Sequence, residues 1–222
     1  MASKTLAVLK KDIQSEYRTR YAINAILLFG VTTLTVVSFS VGQIGLVAEV
    51  YAALLWIILF FSAMSGLAQV FVKEEESKTA VVLRLTADPT PVFLGKLIFN
   101  FLLLILLEIV IVPLFFIMTD VTLVNAGLLL TILFAGSIGL AGATTLIAAI
   151  IARASVKGAL FAVLSFPVLL PLLIGCIGGT KIALGGVNSS FSAASAELQL
   201  LFSYAVVMIT AGLLLFEFVW EE

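Results

Sequence analysis

The sequence contains no histidine and a single cysteine, Cys176. Histidine is the commonest metal ligand and the usual general base near neutral pH, so its absence argues against a metalloenzyme or an acid–base catalyst. One cysteine cannot form a disulfide within the chain. The nucleotide-binding pattern G-x-x-x-x-G-K-[S/T] is also missing, because the glycine-rich run "GGTKIALGG" at 178–186 has a different spacing. We interpret that run as a flexible external turn, and any ATP must be bound by another polypeptide.

Charged residues are scarce as well. Only 11% of the 222 residues are charged and 62% are hydrophobic, with a mean hydropathy of +1.25, whereas soluble proteins carry about 25% charged residues. Continuous apolar runs of about 20 residues fit helices that cross a bilayer about 30 Å thick, and they lack the alternation of a membrane β-barrel. We therefore predict an all-α integral membrane protein with one transmembrane domain over 1–222. The predicted spans are 22–41, 46–72, 92–118, 123–151, 158–180 and 197–219.

The first 21 residues are basic, with apolar residues three to four positions apart as on one helical face. This pattern predicts an amphipathic helix over 1–21 that lies on the membrane surface. A cleaved signal peptide has a shorter basic region and a cleavage site after a shorter apolar core. We therefore expect the helix to be retained, with the mature protein beginning near Met1.

Positive charges are distributed unevenly between the joints. Five precede the first span, four lie in 73–96 and two lie in 153–157, while the opposite side has Lys181 alone. Lysine and arginine accumulate in cytoplasmic loops of membrane proteins. We therefore predict that both termini and the loop 73–91 face the cytoplasm.

That loop is longer than a simple reversal requires. It predicts a short amphipathic helix over 73–86, with an ion pair between Glu74 and Lys78, which ends at "DPTP". Within "DPTP", Thr90 is the predicted N-cap of the next helix and Pro91 its first residue. The loop is either a solvated connection or a rigid element that docks on a cytoplasmic partner. In the second case the docking residues are Lys73, Glu74, Glu75, Glu76, Lys78, Arg84 and Asp88.

A few residues inside the predicted spans are unusual for a lipid environment. Glu108 can line a polar path, pair with a neighbouring subunit, or stay protonated and form a hydrogen bond with a helix, because an unpaired carboxylate is costly there. Pro167 and Pro171 each remove a helical hydrogen bond and produce either a static bend or a hinge. Asp120 and Glu49 lie near the predicted external interface, where we expect them to be solvated.

Small and sulfur-containing residues favour packing roles. Glycines at every third position of the fourth span predict a close-packing face, with self-association as the alternative; they are Gly136, Gly139 and Gly142. Direct heme ligation would require a tyrosine or one of Met64, Met118, Met208 and Cys176. We interpret these residues as packing groups.

The order of an acidic cluster, a short helix, a proline break and "PVFLGK" at 91–96 resembles the coupling loop of exporter-type ABC permeases. The whole chain, including "ARASVKGALFAVLSFPVLLPLLIG" at 152–175, resembles the heme exporter protein B (CcmB) family of bacterial cytochrome c maturation. The resemblance implies a type-2 exporter-like fold in the bacterial inner membrane. It also implies a non-catalytic subunit that couples ATP hydrolysis elsewhere to heme export or to release of a heme-loaded chaperone.

The same resemblance implies a set of partners: a cytoplasmic ABC ATPase, a heme-handling membrane protein, a periplasmic heme chaperone and a second permease copy. No nucleic acid is expected. ATP would be bound by the ATPase and heme handled by the complex, with no cofactor bound directly by this chain. Two alternatives stay open: a type-2 permease for a lipid, drug or polysaccharide, and a secondary carrier or channel.

Overall fold

A computed structural model describes residues 2–41, 45–67, 71, 74, 83, 88–152, 157–185 and 189–221, and the secondary structure of these residues is helical throughout. Six of the helices that it contains are long and apolar enough to cross a membrane, which confirms the predicted all-α membrane fold. The helices are α1 (Ala2–Thr19), α2 (Tyr21–Val41), α3 (Ala48–Leu67), α4 (Pro89–Thr119), α5 (Ala126–Ile151), α6 (Lys157–Leu184) and α7 (Ser195–Glu221).

Helix α4 begins two residues earlier than predicted. Its N-cap is Asp88, which has an extended backbone (φ −64°, ψ 152°), and Pro89 is its first residue. Proline suits this position because the first N–H groups of a helix have no intrahelical acceptor. The assignment of Thr90 as N-cap is therefore wrong, although the chain does enter a new helix at the "DPTP" break.

Helix α6 extends four residues beyond the predicted span and ends at Leu184. Its last turn is held by the loop that precedes α5, since the Asn125 backbone N–H donates to the carbonyl of Ala183 at 3.1 Å. Residues 178–184 of "GGTKIALGG" are thus helical. The prediction of a flexible turn over that part of the run is wrong, because tertiary contacts outweigh the low helix propensity of its glycines.

Helix α5 is the central helix and packs against α4, α6 and α7. A Cβ added at Gly136 would lie 2.5 Å from the Trp56 ring, and one added at Gly139 would lie 2.7 Å from Leu172. At Gly142 the neighbouring side chain is Ile209 of α7, at 3.3 Å. Small residues permit this close approach of helices where lipid provides no hydrophobic driving force. The glycine face is covered within the chain, as the packing interpretation expected.

The proline pair lies inside the continuous helix α6. Both prolines are exposed at the surface of the single chain. Between them, the carbonyl of Val168 accepts a hydrogen bond of 2.9 Å from the Tyr204 hydroxyl of α7. This bond ties α7 to the turn that the prolines weaken, and the choice between a static bend and a hinge stays open.

The bundle end opposite α1, here called the far end, carries exposed charges. Glu49 and Lys181 form a 2.8 Å ion pair with about half or more of each side chain exposed. Asp120 is exposed and has a left-handed backbone (φ 52°) where it ends α4. Both acidic residues therefore lie at the surface, as predicted. The ion pair contributes little to stability because solvent screens it.

Helix α1 turns a largely polar face toward the bundle. Thr5, Val8 and Glu16 are buried, whereas the apolar side chains of Leu6 and Tyr17 are 62% and 75% exposed. Most of the apolar stripe of α1, including Leu6, Ile13 and Tyr17, therefore points away from the bundle, while Leu9 packs partly against the core. An outward apolar stripe is the arrangement that an interfacial helix requires, and placement on a membrane surface stays a prediction.

Candidate coupling site at the start of α4

Four charged side chains meet where α1, residue 74 and the start of α4 converge. We call Lys11, Asp12, Glu74 and Lys96 the ionic cluster. The Nζ atom of Lys96 lies 3.1 Å from Oε1 of Glu74 and 3.5 Å from Oδ2 of Asp12. Lys11 contacts the same Glu74 oxygen and lies 3.3 Å from Oδ1 of Asp12. These ion pairs join three segments of the chain: α1, residue 74 and the start of α4.

Lys96 is the inner member of the cluster. Its side chain is fully buried, and those of Glu74 and Asp12 are only 10% and 12% exposed. The Lys96 ammonium also lies 4.7 Å from the centre of the Phe71 ring, within the range of a cation–π interaction. Charges removed from water to this degree persist only when paired, so the geometry of the cluster is held tightly.

A glycine makes this burial possible. A Cβ added at Gly95 would lie 2.9 Å from Cβ of Val8 and 3.2 Å from the carbonyl oxygen of Thr5. Helix α1 therefore crosses α4 in direct backbone contact at Gly95, and the next residue, Lys96, is enclosed. In "PVFLGK" the glycine thus provides the close approach and the lysine provides the charge.

The pKa of Lys11, the more exposed lysine of the cluster, is shifted by its neighbours. Burial lowers the pKa of Lys11, but Asp12 and Glu74 outweigh that effect and raise the pKa above its ordinary value of 10.5. The raised pKa means that the carboxylates stabilise the charged form of Lys11. The ammonium is therefore kept through the physiological pH range.

A second ion pair fastens the beginning of α1 to α4. The Lys4 ammonium donates a 2.7 Å hydrogen bond to Oδ2 of Asp88, the N-cap residue of α4. This hydrogen bond and the lysine charge lower the pKa of Asp88 below its ordinary value of 3.8. Both groups are largely exposed, so this pair is weaker than the ionic cluster.

Helix α1 is also joined to α2 by a tight corner. Oε1 of the buried Glu16 accepts a hydrogen bond of 3.0 Å from the backbone N–H of Ile23, in the first turn of α2. Arg20, between the helices, has a positive φ of 51°, and its N–H donates to the Glu16 carbonyl at 2.6 Å. Glu16 therefore ends one helix with its backbone and caps the next with its side chain.

An aromatic cluster closes the site from the side of α7. The rings of Phe71 and Phe93 each lie 5.4 Å from Phe216, which in turn lies 5.2 Å from Trp220. Such pairs stabilise packing by about 0.5 to 1.5 kcal/mol each beyond area burial. The segment at residue 71 is thus held by aromatic contacts with α4 and α7, as residue 74 is held by charge.

One of the predicted docking residues is buried in the single chain. Glu74 is 8% exposed and faces Lys11 and Lys96, and its docking role stays a prediction. Asp88 is exposed and pairs with Lys4. The other predicted residues lie outside the described part of the chain, as does most of the predicted helix 73–86: they are Lys73, Glu75, Glu76, Lys78 and Arg84. Their roles, and the Glu74–Lys78 pair, stay predictions.

Sequence reasoning missed Lys11, Asp12 and Lys96 as members of a site. In the sequence analysis, Lys96 contributes only to the number of positive charges on the predicted cytoplasmic side. A signal was available in "PVFLGK", where a lysine follows a glycine inside an apolar run. A cation placed there must find an anion, but the sequence does not say which carboxylate supplies it.

The intramembrane carboxyl Glu108 has a partner on the central helix. Its Oε1 accepts a 2.7 Å hydrogen bond from the Ser137 hydroxyl. About two helical turns nearer the ionic cluster, the Asn100 amide donates to Thr145 at 2.9 Å across the same pair of helices. The structure thus places Glu108 in a helix–helix hydrogen bond, one of the three roles left open for it.

The sulfur-containing residues named as candidate heme ligands lie at different depths in the single chain. Cys176 is fully buried against α5, Met64 and Met208 are half-buried, and Met118 is 36% exposed. Within the described ranges, no group of three His, Cys, Asp or Glu side chains is placed to hold a metal ion. These positions fit helix packing.

The chain was compared with models of protein families and with curated proteins. The model of the CcmB protein family matches residues 3–218, which is nearly the whole chain. A search of curated proteins returned no match.

Proposed function

The chain belongs to the CcmB family of permease components in c-type cytochrome biogenesis, and from that premise we propose that it couples ATP hydrolysis by a separate cytoplasmic ATPase to heme handling across the inner membrane. The observation that carries the proposal is the family match over 3–218 on a chain with six candidate membrane spans. The match favours this function over a lipid, drug or polysaccharide permease and over a secondary carrier.

The proposed coupling runs through the segment that follows α3. Two of its described residues, Phe71 and Glu74, are buried. The Phe71 ring packs on Phe216 of α7 and faces the Lys96 ammonium of α4, and Glu74 is ion-paired with the same lysine. A segment anchored in this way cannot shift without displacing the start of α4. These contacts support a mechanical role, in which ATPase movement tilts the spans and either exports heme or releases a heme-loaded periplasmic chaperone.

The proposal includes the assembly in which this happens. We infer a heme-handling membrane protein beside the permease, because the family to which the chain belongs acts in c-type cytochrome biogenesis. We also infer two permease copies, because two ATPase domains close on ATP as a pair and need two coupling elements. Both ends of the chain and the loop 73–91 face the cytoplasm in this assembly, as the distribution of lysine and arginine predicts.

Gene deletion with complementation tests the function. Cells that lack the gene should lose covalent heme attachment to c-type cytochromes, measured by heme-dependent peroxidase staining of membrane proteins, and the wild-type gene should restore it. Unchanged staining in the deletion strain, with a c-type cytochrome expressed, would refute the proposed function.

Charge reversal tests the coupling partner. Glu75→Lys combined with Glu76→Lys should weaken co-purification of the ATPase, because both residues lie in the predicted docking loop. The control is Glu217→Lys, a reversal at an exposed position of α7. All variants are compared at equal amounts of inserted protein. Retention of the ATPase at wild-type yield in the double variant would remove the docking assignment from these residues.

A further inference from the structure

We propose that α1 is a second transmission element and that Lys96 is the positioning residue which makes α1, the segment at residue 74 and the start of α4 move together. This inference rests on the proposed function and extends it. We call the chain around residue 74, which follows α3, the coupling segment, and one displacement of this segment reaches two spans, α2 and α4. The family match does not assign such a role to any residue.

The first step of the argument is the connection at Lys96. This residue contacts Asp12 of α1 and Glu74 of the coupling segment at once, from a fully buried position on α4. Because its charge has no access to water, separating either carboxylate from it is costly. The three segments therefore keep their relative positions unless all of the cluster rearranges.

The second step is the rigidity of the α1–α4 contact. Gly95 brings α1 against the α4 backbone, and Lys4 joins Asp88 at the other end of the contact. Between these two points, α1 is held at several places along the first turns of α4. Rotation of one helix against the other would separate an ion pair or force Val8 into the α4 backbone.

The third step carries the motion onward. Glu16 lies one helical turn after Asp12 on α1 and caps α2 through Ile23. The left-handed backbone at Arg20 fixes the corner between the helices. A displacement of the ionic cluster is therefore transmitted along α1 to the first turn of α2, and α1 acts as a strut between the coupling segment and that span.

The variants that test this inference are chosen in matched pairs. Lys96→Met removes the buried cation and keeps the chain length, and its control is Lys10→Met at an exposed position of α1. Glu16→Leu removes the acceptor for the Ile23 N–H, whereas Glu16→Gln keeps an acceptor oxygen at the same position. The measured quantity is heme attachment per ATP hydrolysed in the assembled complex.

A purely structural role would lower heme attachment and ATP hydrolysis together and leave their ratio unchanged. We expect Lys96→Met and Glu16→Leu to lower the ratio by about tenfold or more, since each breaks a buried contact, while Lys10→Met and Glu16→Gln stay near wild type. An unchanged ratio in both Lys96→Met and Glu16→Leu overturns the inference.

Hydrogen exchange of the purified membrane protein separates this inference from the proposed function. If the wild-type gene fails to support heme attachment, the proposed function is wrong, but the connection of α1, residue 74 and α4 through Lys96 can still be measured. Lys96→Met should raise exchange by about tenfold or more in α1, around residue 74 and at the start of α4 together. Faster exchange confined to the start of α4 would show that the segments are not joined through Lys96 and would overturn the inference.

Discussion

Replacing Lys96 by methionine should be one of the most destabilising single changes in the chain. The Lys96 ammonium lies 3.1 Å from the Glu74 carboxylate and 3.5 Å from that of Asp12. At an effective dielectric constant of about 20, each attraction amounts to about 5 kcal/mol, and part of it only offsets the desolvation of the charges. Removing the cation leaves the buried carboxylates of Glu74 and Asp12 without the ammonium that lies between them. We expect the free energy of unfolding to fall by about 3 to 5 kcal/mol.

A double-mutant cycle tests whether charge balance is the cause. Lys96→Met combined with Glu74→Gln removes one cation and one anion of the same ion pair, so it should recover a coupling energy of about 1 to 3 kcal/mol relative to the sum of the single changes. The measurement is unfolding of the purified protein in mixed detergent micelles, with Lys10→Met as the control. A loss below about 1 kcal/mol for Lys96→Met, or strict additivity in the double variant, would refute the reasoning.

Three further predictions follow from local contacts. Gly95→Ala should lower the thermal unfolding midpoint, with a loss of about 1 to 3 kcal/mol, because the new methyl group meets α1, whereas Gly45→Ala meets no atom within 4 Å and should be near neutral. Ser137→Ala should lower the free energy of unfolding by about 1 to 3 kcal/mol, because it leaves the Glu108 carboxyl without its hydrogen-bond donor. Glu108→Gln keeps the acceptor and should cost less in the same assay. The reverse order would contradict the assignment. The lowered pKa of Asp88 means that its ion pair stabilises the fold above pH 3.8 and that this contribution is lost as the pH falls through the lowered pKa. Carbon-13 NMR titration of the Asp88 carboxyl should show the lowered pKa. The shift should vanish in Lys4→Met, which removes the partner.

The membrane fold could be predicted from the sequence because its signal is local. A span such as 22–41 is recognised from composition alone, and the structure places α2 at Tyr21–Val41. The errors lie at helix ends. Helix α4 begins before Thr90 because either proline of "DPTP" suits a first turn, and α6 passes through its glycines because its last turn is bonded to Asn125. Both outcomes depend on contacts that a local pattern does not contain.

The ionic cluster could be predicted only in part. The sequence predicts that the acidic residues after α3 belong to a docking loop. Glu74 precedes Lys78 by four positions, which is the order that suits an ion pair on a helix. The structure turns Glu74 toward Lys96, 22 positions later on α4, and toward Lys11, 63 positions earlier on α1. Hydropathy and helical spacing describe neighbours along one element. They carry no information on which buried cation meets which carboxylate across elements.

The polar inward face of α1 has a consequence for synthesis. Lys4 and Asp12 each lie 84 residues before their partners on α4. At a translation rate of about 5 to 20 residues per second, α1 waits roughly 4 to 17 seconds before its docking surface has been made. During that interval its outward apolar stripe is the part able to settle in lipid. Until α4 has been made, α1 cannot form its ion pairs with Asp88 and Lys96, so synthesis of α4 is the event that completes the ionic cluster.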